Sequence, residues 1–269
     1  DMKTWKNLHY SYLIGEEEEG YTSLWKEMKS VKELLEEKES LEEIGRVSSF
    51  YKERLCQVIG DEDQLFNEED IQYYDGTVEI IDGEGYLTIT ELNGKEYKEK
   101  RPIEIFTGID PASSTKQTAD YSVIFNIGID DKENRFVLPY YRKRVKPMEL
   151  AQSIIDNYDK YKSTKTRIES VGYQEMLRDY VRSQRYIPGV EIKENPRTSK
   201  SYRLESLQPL FASKKIYILK TQKDLVNELL LYPRGKHDDL LDGMFYANKG
   251  AYAPSHNTND SSNMLFNSN

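Results

Sequence analysis

Cysteine is almost absent from this sequence of 269 residues, in which Cys56 is the only one. A single thiol excludes an internal disulfide and a cysteine-rich zinc site. Long apolar runs are missing too: none approaches the roughly 20 residues that span a bilayer, and the opening DMKTWKNLHY has no signal-peptide hydrophobic region. With 37% hydrophobic residues, 32% charged residues and 21 tyrosines, the sequence predicts a globular intracellular protein with no membrane partner.

A phosphate-binding loop for nucleotides is also missing. No GxxxxGK[ST] pattern occurs, and LIGEEEEG has no lysine placed to reach a nucleotide, so we expect no ATP hydrolysis by this chain. Basic residues are scarce in residues 1–100, which hold 12 Lys+Arg against 26 Asp+Glu, a balance of −14. Because the whole chain carries −9, the remainder carries +5. Only this second part is expected to contact phosphate, and the acidic stretches are interpreted as solvated helix faces.

The hydrophobic pattern predicts helix first, then strands, then alternating helices and strands. Helical spacing covers 22–58, and Asn93-Gly94 between LTITEL and KEYKEK is a strong hairpin signal. From residue 103, IEIFTGID, YSVIFNIGID and RFVLPYYRKRV predict an antiparallel meander. Later helices are predicted in SYRLESLQPLFAS, in TQKDLVNELLLYP with Thr221 as its cap, and from Asp238 onward. This order predicts an α/β fold built round a mixed sheet.

Five acids lie where predicted strands end or where the last helix begins. Asp110 ends the first strand, Glu169 ends KTRIE, and HDDLLDG contributes Asp238, Asp239 and Asp242. Strand ends and a helix start can meet at one edge of a sheet. Asp239 and Asp242 share a helix face and are the preferred pair, whereas Asp238, turned by about 100°, is expected to cap the helix.

Clustered carboxylates without histidine or cysteine suit hard cations, Mg²⁺ or Mn²⁺. Two such ions, roughly 3.5 to 4 Å apart, can activate a water and stabilise the leaving oxygen of a phosphodiester. Any one of these acids, taken alone, is more often a turn or cap residue, and only the three-part arrangement favours catalysis. Asp120, Asp130 and Asp131 are interpreted as turn residues.

Basic residues in two predicted strand-end loops are candidates for phosphate contact. They are Arg142, Lys143, Arg144 and Lys146 in YYRKRVK, and Arg197, Lys200 and Arg203 in NPRTSKSYR. A solvated basic edge is an equally good interpretation of both. Neither loop has a pattern for reading bases, so we expect any DNA binding to be driven by phosphate contacts and weakened by salt.

Three stretches resemble a known family. GIDPASSTKQTADYSVIFNIGI, IESVGYQEML and HDDLLDGMFYA, in this order and spacing, resemble the nuclease domain of the large terminase subunit of tailed phages, which has an RNase H-like fold. The stretch from TSLWKEM to NEEDI is similar to the end of that family's ATPase domain and its linker. The resemblance implies metal ligands at Asp110, Glu169 and the acids of the last helix, and an ATPase domain that belongs to the same polypeptide but is missing here.

The resemblance also implies an organisation in four regions. Residues 1–71 are a helical segment and linker, 72–102 a β-hairpin extension, 103–252 an RNase H-like domain with a mixed central sheet flanked by helices, and 253–269 a flexible tail. The implied partners are double-stranded DNA, the portal protein and the small terminase subunit. The implied location is the cytoplasm of the infected bacterial host, at the procapsid portal.

The predicted function is therefore a metal-dependent DNA endonuclease that cuts concatemeric double-stranded DNA during genome packaging, with two Mg²⁺ or Mn²⁺ ions as cofactor. A Holliday-junction resolvase or a transposase of the same fold would use the same acids, and cleavage of junctions rather than linear DNA separates them. A non-catalytic docking module for the portal or small terminase subunit would leave the acids solvated and would not cut DNA.

Overall fold

A computed structural model describes residues 10–14, 21–43, 47–56, 64–112, 121–169, 174–192, 200–233, 235 and 237–254. The predictions for Asp120, for Arg197 and for the tail from residue 255 onward lie outside these residues. Within the described ranges, no helix combines the length and the apolar character needed to cross a membrane.

From the first helix onward, strands and helices occur in the predicted order, but two short strands that were not predicted precede it. The strands are Leu13–Ile14 (β1), Thr22–Ser23 (β2), Gln72–Ile81 (β3), Glu84–Leu92 (β4), Lys95–Asp110 (β5), Ser122–Ile129 (β6), Arg135–Val137 (β7), Tyr141–Lys143 (β8), Lys165–Glu169 (β9), Gly189–Ile192 (β10) and Ile216–Leu219 (β11). The α-helices are Val31–Glu43 (α1), Val47–Arg54 (α2), Pro147–Tyr161 (α3), Gln174–Gln184 (α4), Lys200–Glu205 (α5), Gln208–Ala212 (α6), Lys223–Leu231 (α7) and Asp239–Asn248 (α8).

Within the described ranges, nine strands form one mixed sheet in the order β10-β9-β5-β4-β3-β11-β7-β6-β8. Because β5 also pairs with β6, the strands β5, β4, β3, β11, β7 and β6 follow one another in a closed circuit. Buried side chains such as Tyr74, Ile89, Ile105 and Phe136 form one cluster from the strands of this circuit. The predicted α/β fold with a mixed sheet and the antiparallel meander of β5, β6 and β7 are confirmed.

Helices cover both faces of the strands that carry the predicted acids. On one face, Phe106 of β5 and Phe125 of β6 belong to the same core cluster as Met244 of α8. On the other face, Ile109 of β5 packs in a cluster with Ile154 of α3 and with α4. Since β5 is buried from both sides, its last residues are held rigidly, and Asp110 stands at the end of a fixed support.

Two glycines allow α8 to lie directly on β5. A Cβ at Gly108 would lie 2.2 Å from the carbonyl oxygen of Gly243 and 2.3 Å from the backbone nitrogen of Ala247. A Cβ at Gly243 would lie 2.7 Å from Cγ1 of Val123. Any other residue at Gly108 would therefore push the helix off the strand. Asp110 follows Gly108 by two residues, so it lies on the same face of β5 and next to α8.

The hairpin prediction is confirmed, whereas the long helix over 22–58 is wrong in extent. Asn93 and Gly94 both have positive φ, 47° and 81°, as a two-residue hairpin turn requires. The first helix begins only at Val31, because Ser30 and Glu33 form a capping box in which the Ser30 N–H donates to Oε2 of Glu33 at 2.8 Å and the Glu33 N–H donates to Oγ of Ser30 at 3.3 Å.

Other boundaries also differ from the predictions. RFVLPYYRKRV is two strands rather than one, because Pro139 has no N–H to continue the ladder. The helix predicted in SYRLESLQPLFAS is split into α5 and α6, with Pro209 in the first turn of α6. Thr221 is not the cap of α7: the N-cap is Gln222, whose amide instead accepts from the Leu219 N–H at 3.1 Å and donates to the Leu138 carbonyl at 2.9 Å. Strand β5 runs without a break across the predicted boundary at 102–103.

Candidate active site

The strand register brings Asp110 and Glu169 together. Strands β5 and β9 are parallel, and Ile109 pairs with Ile168, so the next residue of each strand is an acid at the same edge of the sheet. On the other side of β5, Asp110 pairs with Val123, which in turn pairs with Arg142 of β8. Residues paired across strands share a face of the sheet, so Asp110, Val123 and Arg142 form one row facing α8.

Helix α8 contributes two buried acids to this edge. Asp239 and Asp242 are each 6% exposed, and Leu240 and Leu241 between them are fully buried, as predicted. Asp238 is the N-cap residue by position, but its side chain makes no capping hydrogen bond, so that prediction is wrong. The physical reason is a competing cation: Oδ1 of Asp238 lies 2.7 Å from Nζ of Lys200.

The pKa values of two of these acids, Asp110 and Asp242, are raised. The pKa of Asp110 is raised well above its ordinary value, first by removal from water, then by the charge of Asp242, and then by a hydrogen bond to Glu169 and the charges of Glu169 and Asp239. Burial also raises the pKa of Asp242, and the neighbouring Lys200 and Arg203 oppose this rise. Burial and the neighbouring acids therefore both make the Asp110 carboxyl harder to ionise.

Two cations of helix α5 reach into the acids. Nζ of Lys200 lies 2.6 Å from Oδ2 of Asp242 as well as 2.7 Å from Asp238. Nη1 of Arg203 lies 3.8 Å from Oε1 of Glu169 and 3.9 Å from Oδ1 of Asp242. Arg203 also donates to the Tyr246 hydroxyl at 2.6 Å, and this hydroxyl donates to Glu169 at 2.7 Å. Tyr246 thus fixes the orientation of the Glu169 carboxylate.

Asp239 faces a second group of side chains. Its Oδ2 lies 3.7 Å from Nη2 of Arg142 and 3.7 Å from Nδ1 of His237. Arg142 is held in turn by Glu228, whose Oε1 lies 2.6 Å from Nη2 and whose Oε2 accepts the Leu240 N–H at 3.0 Å. Burial raises the pKa of Glu228 to about 8. Of the predicted pair, Asp242 acts on Asp110 more strongly than Asp239 does.

The donor set suits a hard cation, although the side chains are not gathered around one position. Among the residues that the structure describes, no three His, Cys, Asp or Glu side chains form a group that could hold a metal ion as they stand. Oδ1 of Asp242, in a side chain that is 9% exposed, has no hydrogen-bond partner among those residues. A buried carboxylate oxygen without a donor is costly unless a cation reaches it. Carboxylates of Asp110, Glu169 and Asp242 fit Mg²⁺ or Mn²⁺ in chemical type.

The predicted DNA-binding residues that the structure describes fall in two places, one at and after β8 and one on α5. Lys143, Arg144 and Lys146 are exposed at and after β8. The guanidinium carbon of Arg144 lies 4.3 Å from the ring centroid of Tyr121. Lys200 and Arg203 lie in α5 and contact the acids themselves. Arg142 differs from its neighbours, since its side chain is only 16% exposed and lies against Glu228. Contact of these residues with DNA stays a prediction.

Sequence reasoning missed two residues next to the site. Tyr246 follows Asp242 by four residues, so helical spacing alone would have placed it on the same face of α8. Glu228 lies in the apolar run LVNELLLYP, on the buried side of α7. A charged residue in such a run is rarely left unpaired, and this was the available signal.

Comparison with known proteins gives a family. The family model described as Terminase RNaseH-like domain matches residues 107–249. No curated protein matches the chain. Solved structures that it resembles include the following three. The large terminase nuclease from the thermophilic phage G20c with bound magnesium is 16% identical, with 70% of this chain and 97% of that chain covered and a TM-score of 0.49. The large terminase of bacteriophage HK97 is 10% identical, with 54% of this chain and 39% of that chain covered and a TM-score of 0.43. The yeast mitochondrial Holliday junction resolvase is 12% identical, with 52% of this chain and 76% of that chain covered and a TM-score of 0.34.

Proposed function

Because the chain belongs to the family of terminase RNase H-like domains, we propose that it is the metal-dependent DNA endonuclease of a phage genome-packaging terminase. The observation that carries the proposal is the meeting of Asp110, Glu169 and Asp242 at one sheet edge, where Asp110 has a strongly raised pKa. A protein does not normally place half-buried and buried acids so near one another unless the charges are used.

The proposed reaction is hydrolysis of a phosphodiester bond with two Mg²⁺ or Mn²⁺ ions. When bound, the ions activate the attacking water and stabilise the leaving oxygen. The chain supplies the oxygen ligands, from Asp110, Glu169 and Asp242, with Asp239 as a further acid on the same helix face. Tyr246 and Arg203 hold the Glu169 carboxylate in one orientation, which favours a fixed ligand geometry.

Double-stranded DNA is the proposed substrate. Exposed cations follow Arg142 at Lys143, Arg144 and Lys146, and Lys200 and Arg203 contact the acids themselves. Phosphate contacts made by such residues lose affinity as salt rises, because bound counterions are released. We therefore expect binding to be independent of sequence and to weaken steadily between 50 mM and 200 mM salt, in the range where phosphate-driven binding typically falls by orders of magnitude.

The test is cleavage of supercoiled plasmid, linear duplex and a four-way junction under matched conditions. We expect nicking and cutting of plasmid and linear DNA with Mg²⁺ or Mn²⁺, no cutting in EDTA, and poor replacement by Zn²⁺. Asp110→Asn, purified in parallel, controls for contaminating nucleases. Equal cutting in EDTA would exclude the metal mechanism. Cutting of the junction alone would indicate a resolvase, and a well-folded protein that cuts nothing would indicate a docking module.

The proposed wider role is genome packaging in the cytoplasm of an infected bacterial host, at the procapsid portal. The ATPase domain of the same polypeptide, the portal protein and the small terminase subunit are the proposed partners. Recovery of the portal and small terminase proteins with this chain, cross-linked in infected cells during packaging, tests this role. If neither protein were recovered with this chain while DNA is being packaged, the proposed role would be contradicted.

A further inference from the structure

Lys200 lies between two of the acids, Asp238 and Asp242. Its ammonium lies 2.7 Å from Oδ1 of Asp238 and 2.6 Å from Oδ2 of Asp242. Asp238 and Asp242 are four residues apart, one turn of α8, so their carboxylates stand one above the other at the start of the helix. A single positive charge thus bridges two carboxylates from one helix face.

The two oxygens of Asp242 face different surroundings. Oδ2 contacts Lys200, whereas Oδ1 is the buried oxygen that has no hydrogen-bond partner among the described residues. Oδ1 lies towards Arg203, which is itself 3.8 Å from Glu169. Asp242 therefore separates two cation positions: at Oδ2 the Lys200 ammonium is within hydrogen-bonding distance, whereas at Oδ1, on the side of Glu169, the Arg203 guanidinium is 3.9 Å away and makes no hydrogen bond.

Exposure distinguishes the two positions as well. The side chains of Lys200 and Asp238 are 39% and 35% exposed, whereas the side chain of Asp242 is 9% exposed. A lysine ammonium is a compact charge on a flexible stem, so it can fill an outer position and can also leave it. It cannot enter the inner position without losing its remaining water.

We propose that the Lys200 ammonium occupies the second cation position of the site, so that the DNA-free protein takes up a single divalent cation. This inference rests on the proposed function, because it assumes that Asp110, Glu169 and Oδ1 of Asp242 bind that cation. Lys200 is a positioning residue in this account: it keeps Asp238 and Asp242 together without a second ion. A second divalent ion enters only when the ammonium is removed.

Binding of Mn²⁺ to the DNA-free protein tests the inference, by calorimetric titration and by loss of the free Mn²⁺ signal in electron paramagnetic resonance. Lys200→Met keeps the length of the side chain and removes its charge, and Lys200→Gln repeats the test with a polar side chain. Lys200→Arg keeps the charge. Lys160→Met is the matched control, because Lys160 is exposed on α3, on the other face of the sheet.

We expect one bound Mn²⁺ in the wild type, in Lys200→Arg and in Lys160→Met. We expect two bound Mn²⁺ in Lys200→Met and Lys200→Gln, and in these two variants Mn²⁺ should raise the melting temperature more than it does in the wild type. Two ions in the wild type, or one ion in both neutral variants, would overturn the role of Lys200 and leave the metal site standing. No ion in any of these proteins would overturn the proposed metal site, and the inference with it.

Discussion

Two groups of buried acids in this molecule balance their charge in opposite ways. Asp130, which is fully buried, accepts hydrogen bonds at Oδ1 from the backbone N–H groups of Lys132 at 2.9 Å and Asn134 at 2.8 Å. Its Oδ2 accepts from Arg101 at 2.5 Å and from the Asn134 side chain at 2.9 Å. In contrast, Oδ1 of Asp242 has no hydrogen-bond partner within the described ranges.

This difference is the one expected between a structural acid and an acid that we propose binds a cation. The charge of Asp130 is compensated by groups that the fold itself supplies, so it stabilises the turn after β6. The pKa of Asp110 is raised first by burial and then by the neighbouring acids Asp242, Glu169 and Asp239, whose charges the fold compensates incompletely. Burial of an acid therefore does not indicate its role by itself. The number of hydrogen-bond donors that reach its carboxylate oxygens distinguishes the two groups.

The largest expected effect is on cleavage, from neutralising the acids at the sheet edge. Asp110→Asn and Asp242→Asn should each lower the rate of plasmid cleavage by more than about a hundredfold, since loss of residues that merely support metal ligands already costs about 10–100-fold. Removing one of several like charges relieves repulsion, so the melting temperature should stay the same or rise. Cleavage kinetics and melting curves of the same preparations measure both.

The control for this prediction is Asp131→Asn, because Asp131 is an exposed acid in the turn after β6. It should cut DNA at the wild-type rate. If the Asp110 variant cut DNA normally, or if it unfolded, Asp110 would have a structural role like that of Asp130.

The next effect is on stability, from neutralising Asp130. Asp130→Asn should lower the free energy of unfolding by about 3 kcal/mol, the lower end of the range for breaking a buried ion pair, because Arg101 loses one of its two acidic partners. Arg101, the partner, is 10% exposed and keeps Glu99 as a second acid at 2.5 Å. Asp130 is at the opposite end of β6 from Val123, the neighbour of Asp110, so folded molecules should cut DNA at the wild-type rate. Denaturant unfolding and cleavage per folded molecule are the two measurements.

Here too Asp131→Asn is the matched control, with an expected change in unfolding free energy of less than about 0.5 kcal/mol, the usual range for exposed positions. If Asp130→Asn proved as stable as this control, the four hydrogen bonds to Asp130 would not be what holds the turn.

Local patterns in the sequence were enough to place the acids. Asp110 and Glu169 were found as strand ends because apolar runs stop there, and Leu240 and Leu241 were assigned to the core by helical spacing. These features depend on neighbours in the chain. Asp130 was interpreted as a turn residue for the same reason, and its bonds to the N–H groups of the turn bear this out.

Contacts between distant segments could not be found in this way. The pairing of Asp130 with Arg101, and of Asp238 with Lys200, joins residues that only the folded sheet and α5 bring together. Asp238 shows the consequence: its position at the helix start was right, but an ammonium from α5 displaced the expected capping bond. A capping bond contributes only about 1 kcal/mol, so a close ion pair can outweigh it.

Glu228 is intermediate between the two groups of acids, and its expected effect is seen only when the pH is changed. Like Asp130, it has an arginine partner, Arg142, with Nη2 2.6 Å from its Oε1. Like Asp110, it has a raised pKa, about 8, caused first by burial, with the charge of Asp239 adding to the rise and Arg142 opposing it. Its arginine therefore does not compensate the charge fully.

The consequence is a dependence of stability on pH. Between the ordinary carboxyl pKa of about 4.5 and the folded value of about 8, the folded protein holds a proton on Glu228 that the unfolded chain has released. The stabilisation from this proton is complete below about pH 4.5 and is lost as the pH rises through about 8, with a slope of at most about 1.4 kcal/mol per pH unit.

Glu228→Gln cannot titrate, and its amide oxygen can still accept the Leu240 N–H. Its unfolding free energy should therefore fall less steeply than that of the wild type between pH 5 and pH 8, whereas Glu149→Gln, at an exposed position of α3, should follow the wild type. Denaturant unfolding at intervals of one pH unit measures the difference, and parallel curves for wild type and Glu228→Gln would mean that Arg142 compensates Glu228 as completely as Arg101 compensates Asp130.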